Sequence, residues 1–155
     1  MNAHTNSVSL IQRLVATTAG LSPLALRVPV GIIFAAHGAQ KLFGWFGGYG
    51  LEGTGQWMAS IGIEPGLLMA ALAGGAEFFG GLALLLGLLV RPAAAVLAFT
   101  MLVAIFSVHI GNGLFMSNNG IEFGLALLAA TISLLVSGAG RVSADVALAG
   151  QLERQ

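Results

Sequence analysis

The sequence predicts an all-α membrane protein: an antiparallel bundle of four transmembrane helices, preceded by an amphipathic helix and carrying a short interfacial helix in its first loop. Two observations carry that prediction. Hydrophobic residues make up 57% of the 155-residue chain and charged residues only 8%, at a mean hydropathy of +0.92, whereas a water-facing surface needs about a quarter charged. The apolar residues also gather into four stretches near the ~20 residues that cover a ~30 Å hydrocarbon core, joined by connections short enough to make neighbours antiparallel. The net charge is zero and no basic tract occurs, which excludes nucleic acid as a partner. Cysteine is absent. That removes disulfides, thiolate metal sites and any internal dithiol relay, so electrons passing through this protein need a bound cofactor or a partner.

Residues 1–23 form the N-terminal segment. Val8, Ile11, Leu14, Val15 and Thr18 recur at helical spacing with Gln12 and Arg13 off the stripe, which reads as an amphipathic helix on the membrane surface closed by Gly20. The competing reading, a signal peptide, lacks a cleavage signature and has too late an apolar run. Ser22 and Pro23 then start the first span, Leu24 to Trp45, with Pro29 in its first turns. Gly44-Trp45-Phe46-Gly47-Gly48-Tyr49-Gly50 stops it and supplies rings suited to the headgroup level. Thr54 is the expected N-cap of the interfacial helix, which runs to Ile61 with Trp57, Met58 and Ile61 on one side and covers the bundle mouth.

The second span, Pro65 to Val90, places Glu77 in a stripe of Ala70, Ala73, Gly74, Gly80, Gly81 and Leu84. Stripes of small residues let helix backbones approach closely, so this acid is expected to face another helix. Arg91-Pro92 reads as a two-residue connection to a third span that ends near His109, with Ser107, His109 and Asn112 at its close. A polar loop, Gly111 to Gly120, leads to the fourth span, Ile121 to Ser137, where Glu122, Ala126, Ala129, Ala130, Ser133 and Ser137 form a second small stripe. Residues 24–140 thus make one transmembrane domain, and 141–155 a weakly helical tail lying on the surface. Arg13, Arg27, Arg91, Arg141 and Arg154 fall on one side and Lys41 on the other, which places both termini in the cytoplasm by the positive-inside rule.

Ionisable groups inside lipid cost at least ~2.5 kcal/mol, so their partners are the question. Counting ~1.5 Å per residue from the arginine of each span puts His37 at ~15 Å and both Lys41 and Glu77 at ~21 Å. His109 and Glu122 stand at ~26 and ~28 Å. Lys41 and Glu77 are therefore expected to pair, and His37, Gln40, Lys41, Glu77, His109, Asn112 and Glu122 to form a polar chamber in the outer half of the bundle, for ligand binding or proton relay. Plainer readings stand beside these: Lys41 snorkels to the headgroups, Glu122 forms a capping box with Asn119, His37 makes an interhelical hydrogen bond, and Arg27, Arg91 and Arg141 are topology anchors, with a hydrogen bond from Arg27 or Arg91 to a polar ligand head as the alternative for those two. No catalytic residue and no metal site is assigned.

The run Arg27-x3-Gly31-x2-Phe34-x2-His37-Gly38-x2-Lys41-Leu42-Phe43-Gly44, then Glu77-Phe78-x-Gly80-Gly81 to Arg91, then His109, Asn112-Gly113 and Glu122, resembles the DoxX family of small four-helix bacterial membrane proteins. The resemblance covers Leu24 to Gly140. It implies a bacterial inner-membrane protein similar to subunits of membrane oxidoreductases, with the lipid bilayer, other oxidoreductase subunits and a second copy of the chain as partners, but no catalytic residues to carry over. The functional reading is an accessory or quinone-interacting subunit, with His37 and Lys41 as donors to a quinone and Glu77 and His109 as proton relays. Haem held by His37 and His109 is disfavoured because their heights differ by ~11 Å. The alternatives are a carrier or channel for a small solute or protons, and a structural assembly partner without activity of its own.

Overall fold

The computed structural model of the chain describes Gln12, Val15, Thr17 and residues 20–152. Most of the expected N-terminal amphipathic helix lies outside the described residues. Of the described ones, Val15 is buried and the Thr17 hydroxyl accepts from Gly140 N–H. The first span is α1 (Ser22–Phe43), which continues through Pro29 two turns in and ends at Gly44. A single 3-10 turn, Trp45–Gly47, leads to α2 (Gly50–Ser60). That helix starts five residues earlier than expected, with Tyr49 at its N-cap position, and Gly50 takes a left-handed φ of +69° there. Thr54 is consequently not a cap but a buried mid-helix residue, and of the expected apolar side only Met58 is buried while Trp57 and Ile61 are each 42% exposed.

The second span is α3 (Gly66–Leu86), shorter than expected at its far end, where Gly87 breaks it. The connection to α4 (Val90–Ala104) is Gly87 to Leu89; Arg91 and Pro92 belong to the first turn of α4, where proline's missing N–H is harmless. Beyond Ala104 the helix widens to a π-turn, Ile105–His109, and then tightens to a 3-10 turn, Ile110–Asn112. After a further 3-10 turn, Met116–Asn118, come α5 (Glu122–Ser137) and α6 (Ala144–Leu152). Ser22–Phe43, Gly66–Leu86 and Val90–Asn112 are long and apolar enough to cross a membrane. At 16 residues α5 is apolar but shorter, about 24 Å at the usual rise.

Helices α1, α3, α4 and α5 pack in a ring in that order, with α2 laid over α1 and α3. The register shows successive members running antiparallel. Gly31 meets Gly81 and Leu85, and Gly38 meets Gly74 and Phe78. Gly80 meets Leu97, Gly124 meets Ile105, and Arg91 donates to the Leu135 carbonyl at 2.7 Å. Phe34, Leu84, Leu97 and Leu134 make a dry core in the half that carries Arg27 and Arg91, the arginine end. Lys41 and the two longer loops, 44–65 and 113–121, lie at the opposite end, the loop end. The stripe on α5 faces outward, with Ala126, Ala129 and Ser133 exposed.

The α1–α3 seam depends on bare backbone. A methyl group on Gly38 would overlap the backbones of Phe78 and Gly74, neither of which can swing aside as a flexible side chain would. Gly38→Ala is therefore expected to force the helices apart and cost about 1–3 kcal/mol, the usual range for overpacking. Thermal unfolding in detergent checks this; an unchanged midpoint would mean the seam has slack.

Candidate functional site

In the loop half of the ring the helices line a partly open cavity of about 410 Å³, within the range of small-ligand pockets. Its polar face comes from α1 and α3. Lys41 Nζ lies 2.5 Å from Glu77 Oε2, the pairing expected from depth counting, with the Glu77 side chain 5% and the Lys41 side chain 25% exposed. Glu77 reaches the pair because the small residues on its side of α3 bring α1 close enough for one lysine to span the gap. His37, one turn before Lys41, also lines the cavity. Its ring stands 6.1 Å from that of Phe123. Neither of its nitrogens has a hydrogen-bond partner among the described residues, and the side chain is exposed.

The π-turn supplies the opposite wall through Ser107, Val108 and His109. Such turns insert an extra residue and re-aim those that follow, and they are frequent at functional sites. Here His109 Nδ1 lies 2.8 Å from the Asn119 carbonyl. A carbonyl accepts only, so Nδ1 carries the proton and Nε2 is left for the cavity. Phe34, Met58, Met101, Phe123 and Leu127 complete a mainly apolar lining, with Trp57 of α2 at its cover.

Four of the seven residues expected in the chamber, His37, Lys41, Glu77 and His109, line this one cavity. The other three hold loops. Gln40 donates to the Phe46 carbonyl at 3.3 Å, Asn112 shares the Asn119 carbonyl with His109, and the Glu122 carboxylate accepts from Met116 N–H at 2.5 Å. Glu122 and His109 have separate backbone partners, and the capping box with Asn119 is not formed. Among the described residues no group of three histidine, cysteine, aspartate or glutamate side chains could hold a metal ion.

The arginine end holds two residues whose roles sequence reasoning missed. Arg27 is 2% exposed, so its guanidinium lies inside the protein. Its guanidinium donates to the Leu84 and Leu85 carbonyls at 2.7 Å each, to Ala139 at 3.2 Å, and to Val142. It thereby satisfies the open C-terminus of α3 and ties the chain beyond α5 to α1. Asp145, in the tail expected to lie on the surface, is 1% exposed and accepts from Leu89 and Val90 N–H at 2.6 and 3.0 Å, capping α4 from a distance. Burial pushes its carboxyl above the ordinary range, against the pull of those N–H groups and of Arg27 and Arg91. A short polar side chain after an apolar span carries no sequence signal of such a role.

A family model described as DoxX matches residues 22–110. The chain is 34% identical over 125 residues to "Putative oxidoreductase CatD" of Bacillus subtilis strain 168, covering 81% of this chain and 85% of that one. It is 35% identical over 128 residues to "Inner membrane protein YqjF" of Escherichia coli strain K12, covering 79% and 88%. To "Inner membrane protein YphA" of the same strain it is 30% identical over 127 residues, covering 79% and 86%. No solved structure matches the chain.

Proposed function

The chain belongs to the DoxX family of membrane proteins, and on that premise we propose that it is a quinone-interacting subunit of an oxidoreductase in the bacterial inner membrane, with both termini cytoplasmic. The observation that carries this reading is His37: an accessible imidazole without a hydrogen-bond partner among the described residues, inside an apolar span, beside the Lys41–Glu77 pair in a 410 Å³ cavity. Intramembrane ionisable groups in such a place mark ligand or proton sites. One relative's name refers to an oxidoreductase and two others' to the inner membrane, which agrees with the reading. The arginines at one end support the orientation.

A quinone headgroup is a flat apolar ring with two carbonyl oxygens, which matches an apolar slot with donors at its edge. His37 N–H and the Lys41 ammonium donate to an oxygen, and Glu77 holds Lys41 in place. Reduction to the quinol takes up two electrons and two protons. The electrons come from a partner subunit bearing a redox centre, and the imidazoles of His37 and His109 pass the protons between the medium and the headgroup. The test is purification in mild detergent, followed by solvent extraction and an ultraviolet-visible spectrum. Quinone is expected at close to one per chain, and His37→Leu is expected to lose it while keeping the fold. A quinone-free protein that also fails to bind added quinone overturns the reading, and solute flux in proteoliposomes that Glu77→Gln abolishes would replace it with a carrier.

A further inference from the structure

The cavity has to be reached by its ligand, and the packing of the ring is uneven. Of the four seams that close it, the one between α1 and α5 has the least contact. At the arginine end this seam is sealed by Arg27, whose Nε donates to Ala139, and by Val30, Phe34, Leu127 and Leu134 of the core. At the loop end the contact across it is between the rings of His37 and Phe123, tilted at 49° with centroids 6.1 Å apart. Both residues line the cavity. Both are also exposed, Phe123 to 37%, so they stand between the cavity and the face of the bundle that meets lipid. A phenylalanine turns about two side-chain bonds without leaving any hydrogen bond behind. The same seam has no backbone interlock like the glycine contacts of α1 with α3.

We propose that the α1–α5 seam is a lateral portal through which a lipid-tailed quinone enters, with Phe123 as the side chain that opens and closes it. This rests on the quinone reading and extends it from the headgroup to the tail. The headgroup passes Phe123 to reach His37, and the alkyl tail stays in the seam with its far end among the acyl chains. Phe123 therefore selects ligands that arrive from the bilayer and sets how fast they arrive, while His37 and Lys41 set how tightly the headgroup is held.

The chain has two tryptophans; Trp57 lines the cavity, so in a Trp45→Phe background quenching of Trp57 fluorescence reports quinone arrival. Full-length protein in phosphatidylcholine vesicles is mixed rapidly with a decyl-tailed benzoquinone. Phe123→Cys, with Phe123→Leu as a second and milder variant, is expected to speed quenching about tenfold, well within the spread of association rates among variants of one site. The chain has no cysteine of its own, so alkylating Cys at this position with a bulky maleimide should bring the rate below that of the parent. Equal rates in parent, both variants and the alkylated protein overturn the portal while leaving the binding site standing. Absence of quenching by the tailed quinone and by its tail-less analogue, at any concentration, overturns both.

Discussion

Arg27→Met is expected to leave little folded protein. The guanidinium serves four carbonyl groups, those of Leu84, Leu85, Ala139 and Val142, and it does so at 2% exposure, where water cannot replace it. A buried acceptor left unpaired costs about 1–3 kcal/mol. Even if half of the four relax outward, the loss reaches several kcal/mol out of a total stability of ~5–15 kcal/mol. The positive charge at the C-terminal end of α3 is lost as well, where it opposes the negative end of the helix dipole. Arg27→Lys should fall between: it restores the charge, but a single ammonium cannot span the fork that reaches both the α3 terminus and the 139–142 segment. Gly87 fits this arrangement, since a methyl group there would lie 2.9 Å from the guanidinium carbon. Thermal unfolding in detergent measures the series, and limited proteolysis near residues 138–143 reports whether the segment has come loose. An Arg27→Met protein that unfolds at the parent's temperature would show that the four contacts contribute nothing.

That expectation could not have been drawn from the sequence, and the reason is instructive. An arginine near the start of an apolar span reads as an anchor because position along the chain is all that is visible. Its actual partners are backbone carbonyls, two of them more than a hundred residues away, and a carbonyl has no identity in a sequence. Asp145 is hidden in the same way, since what it caps is the backbone of Leu89 and Val90. The Lys41–Glu77 pair was visible because straight helices convert residue number into height at a fixed rise, and because opposite charges in lipid have few alternatives. The same counting set His109 and Glu122 at neighbouring heights but could not see the loop between them. There the Asn119 carbonyl and Met116 N–H satisfy the two side chains separately. The spans were readable to within a few residues, while the π-turn at Ile105–His109 was not: no proline or glycine lies within it, and the apolar run before it has no face by which to detect the slip.

The Lys41–Glu77 pair carries the second large effect, and the structure makes it asymmetric. Removing either member leaves a charge without its counterion, which for a fully buried pair costs about 3–5 kcal/mol. Here the two ends differ, with Glu77 5% exposed and Lys41 25% exposed. In Glu77→Gln the remaining ammonium can lean toward the loop end on its flexible stem, so a loss below that range, about 1–2 kcal/mol after discounting for that exposure, is expected. In Lys41→Met the carboxylate stays behind among the small residues of α3 with no such escape. The loss there should approach about 3 kcal/mol. The double variant is expected to recover part of both losses, and that non-additivity identifies a direct interaction. Unfolding of the three proteins in the same detergent gives the cycle, and quinone retention measured on them separates the two roles of the pair. If Lys41 only braces the bundle, the double variant should regain quinone along with stability. If it also donates to the headgroup, stability returns and the quinone does not, because neither methionine nor glutamine at these positions can replace an ammonium held beside His37.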